Sequence, residues 1–353
     1  MTVASAANFS ILAGCVFLLS FTMTRLAIRY AHLRQLIDQP GRRRSHDAPT
    51  PRGGGIGIVV AVVAALAAAL VIARTWADPR FVSSILAGTL IVAFAGWLDD
   101  HRPLHVLPRL AAHTSAALLF AVAMVYPFGI VSAGLLALVG ATIVFSIVWS
   151  INLHNFMDGI DGLLATQALF VLATFAVIAC AGRGVDLALD VVVAAAVVGF
   201  LPSNAPRATI FMGDVGSGAL GYLIAAAAWI GIAHGALTVA VALVVCSAFL
   251  TDATCTLLSR MLRGRRWYSA HREHLYQWLA RSGLSHAGVV VRYMGWNLFV
   301  ALPVVVWMYR MPQSPMSAAA ATIALYVASI GTWSYGKRWC LRHARERSSH
   351  AAA

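Results

Sequence analysis

Apolar runs of about 17–22 residues recur from one end of the chain to the other, each long enough to cross a hydrocarbon core of about 30 Å as a helix. They cover roughly 8–28, 54–73, 81–98, 109–126, 131–151, 163–181, 187–201, 217–233, 236–258, 288–308 and 317–335. Polar segments rich in Gly, Pro and Arg separate them. The pattern predicts an all-α polytopic membrane protein with about eleven transmembrane helices, the seventh being the shortest. No connecting segment has room for a soluble domain, so residues 1–353 read as a single integral membrane domain.

Composition sharpens this reading. The chain is 60% hydrophobic and 11% charged, where a soluble domain carries roughly 25% charged residues. Met1 to Ser10 holds no Lys or Arg, while Arg25, Arg29 and Arg34 follow the first span. That flank is wrong for a signal peptide and right for a helix whose N-terminus lies outside. With that orientation, 22 of the 26 Lys and Arg residues fall on inner segments. The N-terminus is therefore expected in the periplasm, and the C-terminus and basic loops in the cytoplasm, of a bacterial inner membrane protein. Anchoring by basic loops at the inner leaflet accounts for the net charge of +13 without a nucleic acid partner. The five cysteines form no paired metal spacing and read as small apolar side chains.

Against this background the acids stand out. Only 13 residues are Asp or Glu, and five of them (Asp99, Asp100, Asp158, Asp161 and Asp214) lie at the ends of apolar spans, all on the expected cytoplasmic side. Ionisable groups at such positions need water, a partner or a metal, and by default read as functional. In Asn152-Leu-His-Asn155-Phe-Met-Asp158-Gly-Ile-Asp161, a helix would bring the four polar residues to one broad face; a loop would use the glycines for tight turns. Oxygen ligands at this density match Mg²⁺ chemistry.

Three further loops carry candidate chemistry. The segment from Asp38 to Gly55 holds His46, Arg52 and three consecutive glycines at a helix start, where backbone amides suit a phosphate. Phe211-Met-Gly213-Asp214 frames one carboxylate with glycine where a span begins. His271-Arg272-Glu-His274 sits in a strongly basic loop; bases or phosphate donors are the favoured roles, and the ligand set is short for zinc. Asp252, inside the ninth span, reads as a helix–helix hydrogen bond, and Trp149, Trp229 and Trp333 as interfacial or packing residues.

The order Asp-Asp, then Asn-x-x-Asn-Phe-x-Asp-Gly-x-Asp-Gly, then Phe-Met-Gly-Asp, then His-Arg-x-His-Leu-Tyr-Gln resembles the polyprenyl-phosphate sugar-1-phosphate transferases, glycosyltransferase family 4. The His-Arg-Glu-His-Leu-Tyr-Gln form is similar to the branch that initiates lipopolysaccharide O-antigen. His101 stands where many relatives carry a third acid, which leaves a third carboxylate without a role here. The resemblance implies transfer of an N-acetylhexosamine 1-phosphate from a UDP-sugar to undecaprenyl phosphate, with Mg²⁺ as cofactor and Mn²⁺ as its substitute. It also implies roles for individual residues. Asn155 and Asp214 are metal ligands. Asp99 and Asp100 organise the metal or deprotonate the lipid phosphate. Asp158 and Asp161 are catalytic partners, Phe211 stacks on uracil, and His271, Arg272 and His274 hold the diphosphate or sugar. Asn152, Arg52 and His46 complete the expected substrate contacts, and a homodimer is an admissible partner state.

Two other classes compete. A secondary transporter would place acids at the bilayer midplane on broken helices within a duplicated sequence. A non-catalytic scaffold would not need oxygen ligands concentrated on one side. The chain shows no duplication, and its acids lie at span ends.

Overall fold

The computed structural model describes residues 3–39, 49–72, 78–126, 132–181, 188–266, 271–311 and 314–351. The apolar runs close their backbone hydrogen bonds within each segment, as lipid requires. They form α1 (Val3–Leu33), α2 (Ile56–Ile72), α3 (Pro79–His101), α4 (Val106–Val125), α5 (Ala133–Met157), α6 (Leu163–Ala181), α7 (Ala188–Asn204) and α8 (Asp214–Ala233). There follow α9 (Val239–Val245), α10 (Ser247–Leu262), α11 (Leu275–Arg281), α12 (His286–Trp296), α13 (Leu302–Arg310) and α14 (Pro315–Ala351), with a π-turn joining α12 to α13. The helix starts are written in the sequence. Asp78 caps α3 ahead of Pro79, and Ser132, Thr238 and Ser285 accept backbone N–H groups at the starts of α5, α9 and α12. Two short strands, β1 (Ile37–Asp38) and β2 (Thr50–Pro51), pair antiparallel.

Among the described residues, eight helical spans are long and apolar enough to cross a membrane, nine if α9 and α10 count as one. The remaining expected spans, over 54–73 and 187–201, are the shorter apolar helices α2 and α7. The expected ninth span differs from a simple crossing, because α9 and α10 meet at a 78° bend. Cys246 leaves helical geometry there, with φ −87° and ψ 1°. Both halves are apolar, so a hydropathy pattern does not register the break.

Helix α8 is the most enclosed element, packed against α2, α3, α5, α6 and α7. Small residues make the close approach feasible. A Cβ on Gly55 would stand 2.3 Å from the Gly216 Cα, and one on Gly96 would stand 2.4 Å from the Asp214 carbonyl oxygen. The backbones of α2 and α3 therefore touch α8 at its first turn. These contacts gather the C-terminal ends of α3 and α5 around the N-terminal end of α8.

Candidate active site

The site is built on the start of α8. Gly213, immediately before it, has φ +76°, which glycine adopts without strain, and an added Cβ would lie 2.7 Å from Asp100 Oδ2. Asp100, buried at the end of α3, accepts the backbone N–H groups of Asp214 at 3.2 Å and Val215 at 3.1 Å. These are orphan donors of a helix start, and a carboxylate there also meets the positive end of the helix dipole. The interaction fixes α3 to α8 at their functional ends.

Beside it, Asp99 accepts the Leu104 N–H at 2.6 Å and pairs with Arg109 at 3.0 Å. The same guanidinium lies 3.5 Å from the Asp214 carboxylate and donates to Asn155 Oδ1 at 3.4 Å. Asn155 in turn donates to the Ser217 hydroxyl at 3.1 Å. Arg109 is thus the hub that Asp99, Asn155 and Asp214 share. In the sequence it is one of the inner basic residues, with nothing to mark it out. Its sequence signal is faint: an Arg at the first position of an apolar span, ten residues from an Asp pair.

The carboxylates of Asp99 and Asp214 are therefore gathered on one guanidinium. Two carboxylates held this close are stabilised by a cation or a shared proton. Among the described residues no three His, Cys, Asp or Glu side chains form a ready-made metal cage. Two carboxylates and an amide oxygen nevertheless suit a hard cation that takes its other ligands from water and substrate phosphates.

Asp158 caps the C-terminal end of α5, facing the backbone of Gly213. Burial, followed by the charge of Asp100, raises its pKa to about 7, outweighing the opposing effect of the Gly213 backbone. Not every residue of this motif joins the cluster. Helix α5 ends at Met157, so the face shared by Asn152 and Asn155 does not continue to Asp161. Asn152 donates to the Val148 carbonyl of its own helix. Asp161 accepts the Ala208 N–H at 3.2 Å and lies 3.3 Å from His286, tying the α5–α6 turn to neighbouring segments.

The triple-glycine loop is used differently from the expectation. The amides of Gly54 and Gly55 donate to the Phe211 and Met212 carbonyls at 2.9 and 2.8 Å, and Phe211 N–H donates to the Pro51 carbonyl at 2.8 Å. Those two amides are therefore engaged and do not face a phosphate; the glycines bring α2 against α8. Arg52 donates to the Asp100 carbonyl, joining this loop to the carboxylate centre. Phe211, part-exposed, is held by its backbone beside Gly213. His46 lies outside the described residues.

The histidine loop docks on the end of α5. Tyr276 donates to the Phe156 carbonyl at 2.9 Å, and the His271 and His274 rings lie 6.5 and 6.0 Å from the Phe156 ring. Their centroids are 4.9 Å apart. Burial lowers the His271 pKa to about 4, with its cationic neighbours adding to the shift. Burial lowers that of His274 too, against the opposing charge of Asp252. Both rings are therefore neutral near pH 7, with buried Nδ1 atoms that have no hydrogen-bond partner among the described residues. Asp252 behaves as the expected inter-helix tie. It accepts from Leu275 and Tyr276 N–H on α11, the Tyr293 hydroxyl on α12 and the Trp333 indole on α14.

Comparison with known proteins bears on what this arrangement serves. Residues 82–232 match the family described as Glycosyl transferase family 4. The chain is 31% identical over 343 residues to a decaprenyl-phosphate N-acetylglucosaminephosphotransferase of Mycolicibacterium smegmatis, covering 86% of this chain and 82% of that protein. It is 29% identical over 299 residues to a probable undecaprenyl-phosphate N-acetylglucosaminyl 1-phosphate transferase of Bacillus subtilis, covering 79% and 78%. A phospho-N-acetylmuramoyl-pentapeptide-transferase of Shouchella clausii is 34% identical over 198 residues, covering 51% and 60%. These relatives are transferases and the carboxylates gather at helix ends, so the transporter alternative finds no support.

Proposed function

The chain belongs to glycosyl transferase family 4 and is an integral membrane sugar-phosphate transferase, and from that premise we propose that it moves an N-acetylhexosamine 1-phosphate from a UDP-sugar onto undecaprenyl phosphate. An oxygen of the lipid phosphate bonds to the sugar-bearing phosphorus, the phosphoanhydride bond breaks, and UMP leaves with the bridging oxygen. The product, an undecaprenyl-diphosphate-sugar, starts O-antigen or another envelope polysaccharide. In this reading the whole chain acts as one domain of the bacterial inner membrane, with the carboxylate centre facing the cytoplasm.

The observation that carries the proposal is the gathering of Asp99, Asn155 and Asp214 around Arg109 at the start of α8. Two phosphate-bearing substrates repel each other, and positive charge fixed between them offsets that repulsion. Asp99, Asn155 and Asp214 would hold Mg²⁺, or Mn²⁺ in its place, which when bound neutralises phosphate charge. Arg109 supplies a permanent positive charge in the same place. Asp100 keeps the α8 start in register with α3. Asp158, with its pKa near neutrality, is the carboxyl best suited to take a proton from the lipid phosphate. Phe211 offers an aromatic face for uracil, and the neutral His271 and His274 can donate hydrogen bonds to the diphosphate or sugar.

Purified protein supplied with undecaprenyl phosphate and a panel of UDP-sugars tests the proposal. UMP should be released with at least one UDP-N-acetylhexosamine and not with UDP-glucose. Absence of UMP with every acetylated donor would remove the reading.

A further inference from the structure

A second polar cavity lies away from the carboxylate centre, between α10, the loop leading to α11, and the basic end of α14. Its volume is about 640 Å³. Six cationic side chains line it (Arg263, Arg265, Arg272, Arg281, Lys337 and Arg338), against one carboxylate among the described lining residues, Glu273. Glu273 is paired with Arg260 and Arg265, and although burial alone would raise its pKa, these cations hold it below the usual carboxylate range. Among the described lining residues, cations therefore outnumber carboxylates six to one.

Lys337 makes this a built feature. It is 8% exposed, and its ammonium has no hydrogen-bond partner among the described residues. It rests 4.6 Å from the centre of the Trp333 ring. A buried ammonium without an acceptor is costly, and an anion in the cavity would supply one.

Trp333 also lines a neighbouring groove of about 530 Å³, walled mainly by apolar side chains such as Leu275, Leu279, Trp296 and Val300. A cationic cavity joined through an interfacial tryptophan to an apolar groove matches a molecule with an anionic phosphate head and a hydrocarbon chain. The reacting lipid phosphate must reach Asp99 and Asp214 on α3 and α8, whereas neither helix contributes to this cavity or groove. We propose that the cavity and groove bind an anionic membrane phospholipid, with the phosphodiester at Lys337, Arg281 and Arg338 and an acyl chain along Leu275, Leu279 and Trp296.

The cavity borders the His271–His274 loop through Arg272 but shares no residue with the carboxylate centre, so its test reads binding. Full-length protein is equilibrated in detergent with phosphatidylglycerol or phosphatidylcholine, and retained lipid is measured by native mass spectrometry. Phosphatidylglycerol should be retained about tenfold or more over phosphatidylcholine, because clustered Lys and Arg side chains attract an anionic headgroup. Arg338 is exposed, and so is Arg281, although it also donates to the Gln277 and Arg272 carbonyls; the double variant Arg281→Gln/Arg338→Gln should stay folded, as its melting temperature would show, and lose that preference. Lys337→Gln should lose it as well. Equal retention of the two lipids, or an unchanged preference in the double variant, would overturn the site. Displacement of phosphatidylglycerol by undecaprenyl phosphate would also overturn it, by returning the cavity to the acceptor substrate.

Discussion

The guanidinium of Arg109 lies 3.5 Å from the carboxylate of Asp214, the residue that opens α8. This contact links a residue of α4 to the candidate metal ligand. Arg109→Ala would remove the charge shared by Asp99, Asn155 and Asp214. Loss of one fixed electrostatic stabiliser costs about 10²–10³ in turnover, and a fall of that size is expected in UMP release. Arg109→Lys keeps the charge but not the planar fork, and should recover only part of the rate. An undiminished rate in Arg109→Ala would remove Arg109 from the chemistry.

The proposed divalent-metal dependence would rest on Asp214 and Asn155. Asp214→Ala should abolish transfer while leaving membrane insertion intact, because the N–H groups bound by Asp100 belong to the backbone. EDTA should stop the wild-type enzyme and Mg²⁺ restore it. Full turnover in EDTA would contradict the assignment.

The carboxyl of Asp158 gives a stability signature. Its folded pKa, about 7, lies above the ordinary value of 3.8. Between these values the folded form holds a proton that the unfolded form has lost, so this contribution to stability falls as pH rises and is gone above about 7. Asp158→Asn cannot titrate. In metal-free buffer, the apparent melting temperature of wild type relative to this variant should decline from pH 5 to pH 7 and level off above it. A difference that does not change with pH would show that the carboxyl is not held protonated.

Phe211 is anchored through its backbone to Pro51 and Gly54, so removing the ring should leave the loop in place. Stacking of an aromatic on a base is worth roughly 1–3 kcal/mol. Phe211→Ala should therefore weaken UMP binding by about tenfold or more, with little change in affinity for the lipid. Calorimetry with UMP decides this.

Asp252 acts at one remove. Asp252→Ala would leave the Tyr293 hydroxyl and Trp333 indole without their acceptor and release the start of α11 from α10. Loss of a buried acceptor costs about 1–3 kcal/mol for each donor stranded. Lower thermal stability and slower turnover should appear together, while UMP affinity stays near that of wild type. Weakened UMP binding would instead place Asp252 in direct service of the nucleotide.

Much of this was readable from the chain because lipid imposes simple demands. Apolar length predicts helices, and a scarce carboxylate at a span end signals function. The partners of those carboxylates were harder to read. Asp100 meets Asp214 across 114 positions, and nothing local in Trp-Leu-Asp-Asp announces that one of the pair caps another helix. Arg109 looks like one more inner basic charge because Asn155 and Asp214, its neighbours in space, are far away in sequence. The Gly53–Gly55 run correctly signalled a close approach, but what approaches is the α8 backbone. Asn152 has the same spacing as Asn155, yet bonds its own helix. Spacing assigns a face and does not reveal what that face meets.

The bond from Asp100 to the start of α8 also bears on how the protein is made. The centre draws its groups from α3, α4, α5 and α8, and the last of them, Asp214, is synthesised more than a hundred residues after the first. A chain still leaving the ribosome, with α3 to α5 already in the bilayer, carries acids and an arginine but no site. The cluster is complete only when α8 inserts among its predecessors, so the last of its helices to be made decides when these groups first meet.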